Sequence, residues 1–431
     1  MFHTSMAGRA VPALAAMLLF AATAGADEAP HAHPYDAPPA GTPLSLAEAM
    51  RLATSDQPLL GARQAAIDAE EHAAVAVAQL PDPKLSAGVQ DLPVDRGEAL
   101  SVRDDNFTTF TLGLSQELPR LGKRQLRGER KRLEAEADRL GLEADRRGIG
   151  RDAALDWLDV YQAEQSLRLT RQLAEESALQ VQSLESAYRA GRAAQADWLA
   201  AKVEAALAGD RVQDGQHHVE RMRAALSRWI GEAAQRPLAG GLDGLPEPEQ
   251  LPQTLAQVDR HPLLSGLEKQ VDMARNDAAQ ARQAYRPDFA VEGYLGYRPA
   301  YADFVGLRVS MDLPLFTGRR QDRGLAAALR QSDAAEDRRE DALRQLHAQA
   351  AEDYIDWHHA RERVAAFDTG VLPDARLRVD AARSAYAAGG GSFDAVLLAR
   401  RSLLDVQLQR LALAVDAARA QVRLQYFASG N

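Results

Sequence analysis

The chain has 431 residues, of which 46% are hydrophobic and 26% charged, with a formal net charge of −10 and no cysteine. That length allows two or three domains. Negative charge spread through mixed-sign segments argues against nucleic acid as a main partner, and the missing thiols exclude disulfides and thiolate metal sites.

Residues 1–26 read as a secretory signal. Arg9 supplies the positive end, Val11 to Ala24 the apolar stretch, and Ala24-Gly25-Ala26 a small-residue cleavage site. Cleavage there leaves no N-terminal cysteine to carry a lipid. No other stretch is apolar for the ~18 residues that a membrane helix needs. Residues 27–43 are proline-rich and read as a flexible lead, in which His31 and His33 are incidental rather than a metal pair.

The first repeat spans 44–236. It opens on Ser45-Leu46-Ala47-Glu48, a capping box, which predicts a helix running to about Leu80 and bent at Pro58. Two strands follow, at about 84–118. Leu85, Ala87 and Val89 alternate with Ser86, Gly88 and Gln90; Phe110, Leu112 and Leu114 alternate with Thr109, Thr111, Gly113 and Ser115. Period two with one apolar and one small-polar face marks a strand between two media. Leu118-Pro119 closes the hairpin. A proline-free run from about Leu121 to Tyr188 then predicts one helix on the order of 100 Å long. Leu126, Leu133 and Leu140, and further on Leu155, Leu158, Leu169 and Leu173, give it a narrow seam, as in a coiled coil. It ends at Tyr188-Arg189-Ala190-Gly191, where glycine suits a left-handed helix end, and a second helix returns from about Asp197 to Trp229. Residues 237–252 read as a proline- and glycine-rich linker.

The plan then repeats over 253–428. Thr254-Leu255-Ala256-Gln257 reads as a second capping box, and His261-Pro262 answers Gln57-Pro58. A second hairpin covers about 288–314. Phe289, Val291, Gly293 and Leu295 share one face of its first strand. Val305 to Leu313 alternate with Arg308, Ser310 and Asp312 in its second. Gly318-Arg319-Arg320-Gln321 answers Gly122-Lys123-Arg124-Gln125, and a second long helix reaches Tyr386-Ala387-Ala388-Gly389, with a kink or short break expected at Gly370 and Pro373. A last helix ends near Phe427.

Four strands cannot close a barrel, since small membrane barrels need about eight. An open edge in lipid costs several kcal/mol per unpaired backbone group. If these strands enter a membrane, chains must pool them, and three copies would supply twelve. No nucleophile elbow, phosphate loop or zinc-spaced histidine motif is present, so neither an enzyme nor a cofactor is expected. His217-His218 and His358-His359 are adjacent pairs on helices, about 100° apart, and cannot chelate as i, i+4 pairs do. The acidic residues of the long helices are expected mostly on a solvated face or in i, i+4 pairs with arginine. A periplasmic coiled-coil adaptor would share the signal and the long helices but leaves the four strands without a role.

The doubled helix–hairpin–helix plan, the Leu-Pro at the end of the second strand of each copy and the paired tip motifs resemble the TolC-like outer-membrane efflux proteins over nearly all of the mature length. The resemblance implies a mainly α fold with a small membrane β part: a homotrimer whose twelve strands form a barrel in outer-membrane lipid above a long α-helical barrel. It implies tips that meet a periplasmic adaptor serving an inner-membrane RND-type pump. Tyr188, Arg189, Gly191, Arg192, Tyr386, Gly389, Gly390 and Gly391 would make the adaptor contacts. Some members narrow the tunnel mouth with acidic residues; here the matching positions hold Ala395 and Leu398, leaving Asp394 and the tip residue Asp197 as candidates. Gly389-Gly390-Gly391-Ser392-Phe393, Leu397 to Arg401 and Val371-Leu372-Pro373 lean toward the heavy-metal branch. Drug efflux and type I protein secretion are the alternatives.

Overall fold

The computed structural model describes residues 42–95, 100–102, 107–242, 245–299 and 301–428. The signal sequence, His31 and His33 lie outside the described residues.

Two short helices come first, α1 (Leu46–Ser55) and α2 (Pro58–Val77), then strands β1 (Lys84–Gln90) and β2 (Thr109–Leu118), then α3 (Leu121–Arg189) and α4 (Gln195–Ile230). The same order follows as α5 (Leu251–Val258), α6 (Pro262–Gln283), β3 (Phe289–Tyr297), β4 (Phe304–Met311), α7 (Gln321–Ala366), α8 (Leu372–Ala387) and α9 (Phe393–Phe427). No described helix is long and apolar enough to cross a membrane.

The two hairpins merge. All neighbours are antiparallel in the order β1-β2-β3-β4, with β2 paired to β3 across the two repeats. Register puts Leu85, Leu112, Leu114, Leu295, Val305 and Leu307 on one face. That face is bare: Leu85 is 73% exposed, Val305 79% and Leu307 75%. Leu313 falls just beyond β4.

The α3 helix packs on α2, α4, α6 and α9. Leu126, Leu133 and Leu140 of its expected seam are only half-buried, while Gly128, Ala135 and Ala144 are buried; further along, Leu158 and Leu173 of that seam are buried. A Cβ on Gly128 would come within 3.1 Å of Ala78 Cβ and 3.3 Å of the Ala74 carbonyl, so α2 approaches α3 there as closely as backbone allows. Further along, the core gathers on Trp157, with Leu158, Val160, Leu226 and Val415. The Trp157 indole donates to the Leu44 carbonyl at 3.0 Å. Leu44 also bridges Leu238, and Arg236 Nε donates to the Thr42 carbonyl at 2.7 Å. The start of the expected linker and the end of the expected lead therefore strap each other against the core.

Several local expectations need correction. At the first capping box Ser45 accepts from the Glu48 N–H at 3.2 Å, but Glu48 does not reach back; its carboxylate pairs with Arg51 and Arg236. The helix expected to run through Pro58 is two helices, broken at Asp56–Gln57 because the residue before proline disfavours helical geometry. Thr254 caps nothing. Its helix starts at Leu251 with a capping box between Gln250 and Gln253, Pro252 lies in the first turn, and Thr254 is buried within it. Before α7 a short 3-10 turn (Thr317–Arg319) replaces the direct helix start of the first repeat. At Gly370 the expected kink or short break is realised as a π-helical turn, Phe367–Val371, between α7 and α8, which accommodates the missing N–H of Pro373 without ending the helix. Arg410 on α9 grips Asp368 of that turn with two bonds of 2.9 and 2.8 Å.

Charges also pair differently. Some pairs do follow i, i+4, such as Arg130–Glu134. Many instead join helices: Lys131 on α3 to Glu70 on α2 at 2.7 Å, Arg130 to Asp277 on α6 at 2.8 Å, and Arg275 on α6 to Glu336 on α7 at 2.9 Å. Each is partly exposed and screened by solvent, so these pairs set helix register more than stability.

His261 caps α6 through its ring: Nδ1 accepts from the Leu263 N–H at 3.3 Å. It is 1% exposed and packs against Tyr426 and Phe427. Burial, reinforced by Arg147, lowers its pKa from 6.5 to about 4. The folded state holds it neutral while the unfolded chain takes up a proton below 6.5, so its contribution is lost as pH falls from about 6.5 toward 4. His261→Asn, which keeps a capping acceptor, should flatten the acid side of the stability profile. Thermal unfolding of both proteins across that pH range checks this.

Candidate functional site: the two hairpin tips

The α3–α4 and α8–α9 turns are built alike. In the first, the Gly191 N–H donates to the Tyr188 carbonyl at 2.9 Å and the Arg192 N–H to the Ala187 carbonyl at 2.8 Å. In the second, the Gly389 N–H donates to Tyr386 at 3.0 Å and the Gly390 N–H to Ala385 at 2.9 Å. Both are Schellman ends, which need a left-handed residue at the third position after the tyrosine. Gly191 has φ +70° and Gly389 φ +76°. Gly390 and Gly391 are not left-handed; Gly391 instead lies close to Ala385, where a Cβ would approach to 3.2 Å. Ser392 then caps α9, accepting from the Ala395 N–H at 3.3 Å.

The structure brings the two tips together. The Tyr386 hydroxyl donates to Asp197 Oδ2 at 3.0 Å, and burial together with this bond raises the tyrosine pKa. Beneath it, Phe393 and Val396 are buried with Leu184 and Ala201, so α9 closes on α3 and α4. Deeper still, Glu204 is almost enclosed and Arg401 donates to it through Nε at 2.9 Å and through a second guanidinium nitrogen. Arg400 donates to Gln180 at 2.5 Å.

The other candidates face outward. Tyr188 stacks on Trp198 with centroids 5.6 Å apart, and Lys202 lies 5.1 Å from the indole. Arg189 is 77% exposed and pairs with Glu185 at 2.6 Å. Arg192, Gly390 and Gly391 are exposed. Asp394 is exposed in the first turn of α9 and does not join Asp197, which is held by Tyr386. Trp198, Phe393, Glu204 and Arg401 are site residues that sequence reasoning missed. Trp198, one residue beyond Asp197 in an aromatic-poor chain, was the available signal. Glu204 and Arg401 lie 197 positions apart and gave none.

The histidine pairs His217-His218 and His358-His359 are exposed. Among the described residues no group of three or more His, Asp or Glu side chains is placed to hold a metal ion.

The model of the family described as Outer membrane efflux protein matches residues 255–430. The fold is shared with solved structures over both repeats. A crystal structure of a membrane protein from Pseudomonas aeruginosa superposes with a TM-score of 0.78 at 18% identity, covering 89% of this chain and 92% of the other. CusC, in a structure described for transmembrane channel formation, superposes at 0.76 and 15% identity, covering 89% and 92%. In sequence, the cobalt-zinc-cadmium resistance protein CzcC of Cupriavidus metallidurans is 25% identical over 382 residues, covering 86% of this chain and 87% of CzcC. The expected resemblance to outer-membrane efflux proteins is thus met over both repeats.

Tyr386→Phe removes only the bond to Asp197. Amide exchange at 186–198 and 384–394 should then quicken about fivefold, as expected for losing ~1 kcal/mol. Equal protection in wild type and variant would mean that packing on Phe393 alone joins the tips.

Proposed function

We propose that this chain is the outer-membrane conduit of a tripartite efflux system and that three copies assemble to form it. The observation that carries the reading is the four-stranded sheet, apolar and bare on one face and open at β1 and β4. Open edges are intolerable for one copy in lipid, and such an apolar face is intolerable in water. Edge-to-edge pairing of three sheets gives twelve strands with no free edge, the apolar face toward lipid and the polar face toward a water-filled lumen. The helices then continue the passage into the periplasm. Passage is passive, and energy comes from an inner-membrane RND-type pump that a periplasmic adaptor couples to the tips.

For the cargo we infer heavy-metal cations. Support comes from the likeness to CzcC along most of both chains and from the tip sequence Gly389-Gly390-Gly391-Ser392-Phe393. A conduit need not bind its cargo tightly, since conduction requires weak sites. Drug efflux and protein secretion remain the competing cargoes for the same architecture.

The purified chain should run as a detergent-resistant trimer from outer-membrane fractions; a soluble monomer would sink the assembly. A deletion strain should lose resistance to one or more of cobalt, zinc, cadmium, copper and silver. Selective loss of antibiotic resistance would instead support the drug reading.

Gly191→Pro and Gly389→Pro place a fixed negative φ where the tips need a positive one. Both should abolish resistance while trimers still form. Full resistance in both would remove the tips from adaptor docking.

A further inference from the structure

On the polar face of the sheet, bulky side chains sit opposite glycines. Tyr294 pairs with Gly113 on β2 and Gly306 on β4, and Phe304 pairs with Gly296. A Cβ on Gly306 would stand 2.2 Å from the Tyr294 ring, and one on Gly296 the same distance from the Phe304 ring. The rings therefore lie sideways over neighbouring strands instead of standing off the sheet. They meet edge to face, 6.1 Å apart at 84°. Glycine weakens a strand, so these seats sacrifice strand stability for a low-profile wall.

Two guanidiniums cover the rings, Arg298 at 4.5 Å from Phe304 and Arg308 at 5.3 Å from Tyr294. Their charges are not equivalent. Arg308 is neutralised by Glu292 at 2.8 Å, as Lys84 is by Glu117 at 2.5 Å. Arg298 has no carboxylate partner among the described residues, and its Nε is enclosed without an acceptor. It lies where β3 enters the 298–303 turn, at the end of the sheet away from α3 and α7.

We propose that Arg298, held on the Phe304–Tyr294 bed, is an anion-attracting station on the water-facing wall of the conduit near its distal mouth. This rests on the conduit reading above. A three-copy barrel brings three Arg298 guanidiniums, none with a carboxylate partner among the described residues, to one level, and the aromatic bed fixes each against the wall. Charge in a confined passage biases which ions enter. The solutes favoured are small anions and carboxylate- or phosphate-bearing molecules. Bare divalent cations meet a modest barrier, screened within about 8 Å at physiological salt.

The test is ion selectivity of the full chain in planar lipid under a potassium chloride gradient. Arg298→Ala should lower the chloride-to-potassium permeability ratio about twofold or more, and Arg298→Lys should restore most of it. Phe304→Leu keeps the charge but loosens it, and should shift the ratio less and in the same direction. Open Arg298→Ala pores with the wild-type reversal potential would overturn the station. Wild-type chain that forms no pores would overturn the conduit reading, and this inference with it.

Discussion

Backbone pairing at the two ends of one small sheet is the constraint on which the rest of this molecule depends. Strands β1 and β4 each leave a row of N–H and C=O groups without a partner, beside a face where Leu85, Val305 and Leu307 are largely bare. In water such a sheet aggregates, and in lipid its edges are intolerable. A lone copy of this sheet is therefore unfavourable in either medium. The pairing of β2 with β3 matters for the same reason: it reduces the edges from four to two per chain and makes the two repeats one structural element.

The helical part solves a different problem. A wall of long helices offers little core, so contacts must be distributed along the rods. Small residues do this near the sheet, where Gly128 lets α2 and α3 approach closely. Ion pairs between helices set the register of α3 against α2 and α6. Around Trp157 a true core appears, strapped by Leu44 and Leu238. The two rods then diverge in character. The first is unbroken over 69 residues, while the second carries the Phe367–Val371 π turn, clamped to α9 by Arg410. At the far end Tyr386 and Asp197, with Phe393 beneath them, bind the two hairpins into one surface.

Much of this was legible in advance because it rests on local rules. Two-residue alternation marked all four strands, since neighbouring side chains point to opposite faces whatever the strand pairs with. Tyr-x-x-Gly marked both helix ends because only glycine adopts the left-handed angle without cost. What failed locally did so where local signals compete. Thr254 looked like a cap, but Pro252 had already set the helix start. Gly370 with Pro373 marked a kink or short break, and the structure realises it as a π turn while packing on α9 holds the rod together.

The amino-acid sequence by itself determined the element order, its duplication, the two-faced strands and the left-handed tips, because each follows from side-chain periodicity or backbone sterics over a few residues. Only the tertiary structure decided that the hairpins share one sheet, that small residues rather than the leucine seam are buried nearest it, and that Asp197 meets Tyr386 and Glu204 meets Arg401. Those partners lie 189 and 197 residues apart. Contacts at such separations depend on how rods on the order of 100 Å stack, which no short window of sequence encodes.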